Sequence, residues 1–276
     1  MYSVPRLLNH INEAWSLRGW KDISGAMIGA ARSLGQGNSP VITAKKLPVN
    51  FLMLNQVKRT DVEAVFRNVL MEKDIMEANQ IMNLLFVSAG PSSLGTLRLG
   101  AEERDIREKV RATTKRDNIK IDVAPAARRT DLIDAFGRYK PNVMHISGHG
   151  DNNSIVLEDD NGDAADVSQE MLAKFVGVAG EQLRLVVLNT CESARLAKSL
   201  AGVIDAAIGM DVSVYDDVAR VFAVQLYSSL GEGLSLQLAF DQAILQIEAY
   251  SLPQSDNPQL FVRKGLDANK IFIVGV

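Results

Sequence analysis

Two short segments carry the residues with the widest chemical range. "MHISGHGDNN" (144–153) holds two of the chain's three histidines at the end of an apolar run, and "LVVLNTCES" (185–193) holds its one cysteine, Cys191, at the end of another. A thiolate can attack a carbonyl carbon, and an imidazole from a neighbouring loop can carry the protons that the attack requires. A thiol set between a buried strand and a helix that begins at or beside it has free backbone N–H groups and the helix dipole nearby, and both favour the thiolate. The glycines flanking His149 let backbone approach a ligand, so the N–H groups of Gly150 and Cys191 are candidates for holding a developing oxyanion. Pattern alone leaves Cys191 open between this reading and a small, buried apolar side chain.

Other chemistries fit less well. His145 and His149 lie on a strand-like run, where four residues span about 13 Å, too far for both rings to share one ion. His145 reads as a core or supporting residue within the strand, and His10 as a surface residue. The acidic run Glu158 to Asp163 lacks the alternating ligands and closing glutamate of a calcium loop and reads as a solvated hairpin tip. "SAGPSSLG" (88–95) contains neither dinucleotide nor P-loop spacing and reads as a loop over the same edge as the two segments above. No G-x-S-x-G elbow supports a serine nucleophile.

The elements that must position these residues follow from periodicity. Residues from about 5 to 80 show apolar spacings of three and four, interrupted by the breaker-rich "GQGNSPVITAKKLP", and predict a small helical module. From residue 83 the pattern changes. "NLLFVSAG", "IKIDVAP", "NVMHISG", "LRLVVLNT" and "AAIGM" read as buried strands, and "GAEERDIREKVRATT", a Thr130-capped "RRTDLIDAFGRYK", "QEMLAKFVGVA" and "CESARLAKSLA" read as the helices between them. "SIVLEDDNGDAADVS" has an Asn-Gly pair between strand-like halves and predicts a hairpin. Two amphipathic helices follow (216–231 and 235–250), and "QLFVRKG" and "KIFIVGV" read as closing strands. Such alternation predicts an α/β sandwich with a mostly parallel sheet, whose functional loops gather at the carboxyl ends of the strands.

Composition narrows the function further. Thirty Lys and Arg stand against 33 Asp and Glu, so the basic footprint of a nucleic-acid binder is missing. One cysteine cannot form an intramolecular disulfide or a cysteine-rich zinc site. No apolar run approaches 18 residues and the first 20 positions are interrupted by polar and charged groups, so neither a membrane span nor a secretory signal is expected, and a cytoplasmic location is.

"VMHISGHG" followed 42 residues later by the cysteine of "LVVLNTCESA", and then by "AAIGMDVSVYDDVARVFAVQLYSSLGEGLSLQLAFDQA", resembles the CHAT family of caspase-like cysteine peptidases, related to caspases and separase. The resemblance implies a caspase-like three-layer sandwich over residues 80–276, with 1–79 as a regulatory or partner-binding module. It also implies His149 and Cys191 as a catalytic dyad, and no metal or organic cofactor. An acidic residue at the position of Asp211 would line the specificity pocket and select Arg or Lys before the cleaved bond. Asp151, Asp216 and Glu192 are lesser candidates, and a turn-capping role for Asp211 is the competing reading. A protein substrate, a regulatory protein partner and a place in regulated bacterial proteolysis, including antiviral defence, follow from the same resemblance. A catalytically silent adaptor is the alternative, against which intact His149 and Cys191 count.

Overall fold

The computed structural model describes residues 81–94, 97–180 and 182–275. The expected helical module at 1–79 and His10 lie outside the described residues, which belong to the unit Glu77–Val276.

Among the described residues, eight strands are β1 (Met82–Ser88), β2 (Ile119–Ala124), β3 (Val143–Ser147), β4 (Ser154–Glu158), β5 (Ala164–Ser168), β6 (Leu185–Asn189), β7 (Ala206–Met210) and β8 (Pro258–Val262). The same residues form six α-helices: α1 (Leu99–Arg111), α2 (Arg129–Tyr139), α3 (Gln169–Ala179), α4 (Ala194–Leu200), α5 (Asp216–Gly231) and α6 (Leu236–Ala249). The main sheet has the order β2-β1-β3-β6-β7-β8 and is parallel except for β8, which runs antiparallel to β7. The Asn161-Gly162 hairpin forms as expected, with β4 and β5 antiparallel in a separate two-stranded sheet.

The central strands are mostly apolar because both faces are covered. On one face Met82, Leu84, Phe86, Leu185, Val187 and Ile208 meet Ile106 of α1, Phe222 and Leu226 of α5 and Ala243 of α6. On the other, Leu85, Val87, Met144, Ile146, Val186 and Leu188 meet Leu132 of α2, Phe175 of α3, Leu196 of α4 and the hairpin's inward Ile155, Leu157 and Val167. This is the three-layer α/β sandwich that the alternation predicts. Each such side chain taken fully from water contributes roughly 1.5–3 kcal/mol.

Three local expectations are corrected. "KIFIVGV" forms no strand: Ala268–Lys270 is a 3-10 turn, the Ile271 carbonyl accepts the N–H of Leu236 at the start of α6 (2.8 Å), and the Phe272 carbonyl accepts Arg184 Nη1 (2.8 Å). Those partners, with Ile271, Ile273 and Val274 buried against the helices, draw the segment off the sheet. Thr130 does not cap α2, which begins one residue earlier; Asp131 Oδ2 instead accepts the Arg128 N–H (2.9 Å). The helix after the cysteine begins at Ala194, with Cys191 to Ser193 forming a turn before it.

One polar cluster interrupts the apolar core. Glu102 of α1, only 6% exposed, accepts from Asn189 Nδ2 (2.5 Å) and pairs with His145 Nε2 (3.1 Å) through Oε1, while Ser147 Oγ donates to Oε2. His145 Nδ1 meets the Tyr227 hydroxyl at 3.0 Å, and its ring stacks on Phe86 with centroids 4.8 Å apart. Burial alone pushes the Glu102 carboxyl up. The His145 charge and the hydrogen bonds from His145, Ser147 and Asn189 together outweigh it, so Glu102 titrates below its ordinary value of 4.5. Burial, with the Glu102 charge adding to it, holds the Tyr227 hydroxyl well above its ordinary 10.0.

Two predictions follow from this packing. A Cβ on Gly209 of β7 would lie 2.6 Å from the Ser193 carbonyl oxygen and 2.9 Å from Ala194 N, both backbone, whereas one on Gly137 in α2 meets nothing within 4 Å. Urea denaturation should therefore show Gly209→Ala destabilised by about 1–3 kcal/mol, and Gly137→Ala stabilised by roughly 0.5–1 kcal/mol. Because the Glu102 carboxyl is depressed in the folded state, its contribution is present above 4.5 and is lost as pH falls through the lower folded value. Melting temperatures measured from pH 6 down to pH 3 should fall more steeply for the wild type than for Glu102→Gln below about pH 4.5; parallel curves would refute this.

Candidate active site

The parallel pairing of β3 with β6 places Ser147 opposite Asn189, the last residue of each strand. His149 and Cys191 each stand two residues further along, in loops that leave the sheet at the same edge from level strand ends. Both are partly buried.

Each loop is fixed from below. The His149 carbonyl accepts the N–H of Val156 in β4 (3.0 Å), and Gly150 bridges Ile155, so the hairpin holds the histidine loop. Gly150 must be a glycine for a reason internal to the protein: a Cβ there would lie 2.9 Å from Thr190 Oγ1 and 3.1 Å from the Ser154 carbonyl oxygen. Its backbone thus presses against the residue that precedes Cys191. On the cysteine side, buried Ser193 donates its hydroxyl to the Leu188 (3.0 Å) and Thr190 (2.8 Å) carbonyls and accepts the Met210 N–H (3.1 Å). The turn is thereby knotted to β6 and β7 together.

Glu192, next to the cysteine, has φ +52°, a left-handed conformation that costs a non-glycine residue on the order of 1–3 kcal/mol. Its N–H reaches the Val212 carbonyl (3.3 Å) and its carboxylate takes Asn152 Nδ2 (2.7 Å), which spans the two loops.

The acidic candidates separate. Asp211 follows the last residue of β7, on the same edge, and is exposed. Its N–H donates to the Asn257 carbonyl (3.0 Å), the Val212 N–H donates to Asn257 Oδ1 (2.9 Å), and Gln254 Nε2 donates to the Ser213 carbonyl (2.8 Å). Asn257 and Gln254 therefore hold the turn. Asp151 is itself a turn former: its Oδ1 accepts the N–H groups of Asn153 (2.8 Å) and Ser154 (2.7 Å), and the Asn153 bond foremost keeps the carboxyl below the usual range. Glu192 is taken up by Asn152, and Asp216 lies exposed at the start of α5.

"SAGPSSLG" also opens at this edge: Gly90, Pro91, Leu94, Leu97 and Leu99 line a cavity beside Glu158, whose Oε1 accepts the Gly90 N–H (2.9 Å). His145 is the buried supporting residue expected from its place in the strand. Among the described residues no group of three His, Cys, Asp or Glu converges as a metal site, and no helix is long and apolar enough to cross a membrane.

Glu102 was not singled out by the sequence reading, which takes α1 as a helix with a charged face. Its signal is its phase: Glu102, Ile106 and Val110 fall at four-residue steps on the one buried stripe of α1. Asn189 and Tyr227 gave no separable signal within their apolar runs.

Comparisons with known proteins agree with the motifs. A "Probable protease" of Gillisia limnaea is 23% identical over 160 residues, 57% of this chain and 28% of that protein. A "Roc-COR-CHAT protease" from an unknown prokaryotic organism is 21% identical over 183 residues, 63% of this chain and 17% of that protein. The chain therefore spans less than a third of either relative's length. A secreted C11 cysteine protease from Bacteroides thetaiotaomicron, solved with an irreversible peptide inhibitor, aligns over 66% of each chain at 10% identity and a TM-score of 0.49. The CHAT domain matches residues 16–260, which take in the whole of the strand edge described above. This chain belongs to the CHAT domain family.

Proposed function

We propose that the protein is a cysteine endopeptidase in which Cys191 is the nucleophile and His149 the proton carrier. The observation that carries this reading is the register of β3 and β6, which brings the histidine and cysteine loops side by side on one edge. The contact of Gly150 with Thr190 and the Asn152–Glu192 bond support it. The family and the names of the relatives support the reaction class.

In this mechanism the Cys191 thiolate attacks the scissile carbonyl carbon and the carbonyl oxygen becomes an oxyanion, held by the N–H groups of Gly150 and Cys191. The tetrahedral intermediate collapses with cleavage of the C–N bond as His149 gives its proton to the leaving amine. Water, deprotonated by the now neutral His149, attacks the thioester; the C–S bond breaks, the acid leaves, and the Cys191 thiolate and protonated His149 are restored.

Asp211 selects Arg or Lys before the cleaved bond. Its carboxylate is exposed at the edge while Asn257 and Gln254 do the work of shaping its turn, which favours this role over turn-capping. Asp151, with one oxygen committed to its own turn, is a secondary contributor. The protein acts in the cytoplasm on a protein substrate, within regulated bacterial proteolysis that includes antiviral defence, and residues 1–79 recruit the partner that controls it.

Cys191→Ala should abolish cleavage, and His149→Ala should reduce it by about 10²–10⁴-fold; retention of wild-type cleavage by either variant refutes the dyad. Mapping cleaved bonds across a bacterial lysate, with Cys191→Ala as the control, should show Arg or Lys before the cut. Asp211→Ala should weaken that preference by roughly 10- to 100-fold, the worth of a charged hydrogen bond; acidic or apolar residues at that position, or an unchanged preference in the variant, would overturn the assignment.

A further inference from the structure

The proposed mechanism makes no use of the most deeply buried carboxylate described above. Glu102 comes from α1, yet its two oxygens are divided between β3, which supplies Ser147 and His145, and β6, which supplies Asn189. Ser147 and Asn189 are register partners and the last ladder residues before the two candidate loops. We propose that Glu102 is a positioning residue: by accepting from Ser147 and Asn189 at once, its carboxylate fixes the relative height and spacing of the strand ends that carry His149 and Cys191. This inference rests on the dyad reading and deepens it.

Three observations favour positioning over plain stability. Asn189 directs its amide protons to Glu102 and to the Ala219 carbonyl of α5 (3.2 Å) while its Oδ1 is buried without a partner. Reversing the amide would set an oxygen against the carboxylate, so the charge dictates the orientation of the last residue of β6. Glu102 cannot drift, because His145 is pinned by the Tyr227 hydroxyl and by Phe86. Burying an ion costs several kcal/mol before its partners offset it, and a packed apolar cluster in place of the whole set is often as stable or more so. The charged solution gives directional bonds from two strands to one point, which an apolar side chain cannot give. Beyond Ser147 and Asn189 the regular strands end, so this clamp is the last fixed point beneath the two loops.

The test uses the single cysteine of the chain. The rate of Cys191 alkylation by iodoacetamide, followed by mass on the full chain from pH 5 to 10, reports the thiolate and its coupling to His149. His149→Ala should shift the wild-type profile; identical profiles would refute the dyad itself. With that shift in hand, Glu102→Met should melt at a lower temperature, because it strands His145, Ser147 and Asn189, yet stay cooperative and folded at 25 °C, and should move the alkylation profile toward that of His149→Ala, with a rate at pH 7 about tenfold lower. A folded Glu102→Met with the wild-type profile overturns the positioning role and leaves the dyad standing. If Glu102→Met loses its cooperative melt, Ser147→Ala decides, since it removes one donor to the same carboxylate: a several-fold slower rate at pH 7 supports the clamp, and an unchanged profile overturns it.

Discussion

The pairing of β3 with β6 is the constraint on which the rest depends. A parallel ladder sends both strands out of the sheet in one direction, so whatever follows them shares an edge. Register then sets height: with Ser147 opposite Asn189, the two strands end level and their loops start together. A slip of one residue would turn every side chain of the strand to the other face. Met144 and Ile146 would leave the core under α2 and α3, and His145 and Ser147 would leave Glu102. The apolar packing on both faces thus enforces the alignment at the edge.

Burial falls off from the floor of the edge to its rim. The floor is the buried cluster of Glu102, His145, Ser147 and Asn189, where low dielectric strengthens each hydrogen bond and makes each loss costly. Above it, Ser193 ties the cysteine turn to β6 and β7, and the hairpin holds the carbonyl of His149. The rim is looser. The Asn152–Glu192 bond and the turn held by Gln254 are solvent-exposed, where such contacts are worth little individually.

Much of the fold was legible in the chain. The strands from "NLLFVSAG" to "AAIGM", the Asn-Gly hairpin and helices α3, α5 and α6 fall where periodicity places them, because each is strongly patterned and set off by its neighbours. The misreadings share one cause, the choice of hydrogen-bond partner. "KIFIVGV" has strand composition, yet its carbonyls are claimed by the start of α6 and by Arg184. Thr130 is a good capping residue, but Asp131 captured the Arg128 N–H and started the helix earlier. The helix after Cys191 starts late because the fully buried Ser193 bonds to β6 and β7 first.

By itself the sequence determined the alternation, the two apolar runs ending in His149 and Cys191, and the loops in which those residues stand, since period and composition are local properties. Tertiary structure decided the rest. Strand order made β3 and β6 neighbours, and packing of α1 against the sheet turned Glu102 from one more charge on a charged helix into a buried acceptor for two strands. It also gave Gly150 and Gly209 their necessity, because the atoms they make room for, in Thr190 and Ser193, arrive from other parts of the chain. Contacts between distant segments are absent from any local window, and they are what set the geometry of this edge.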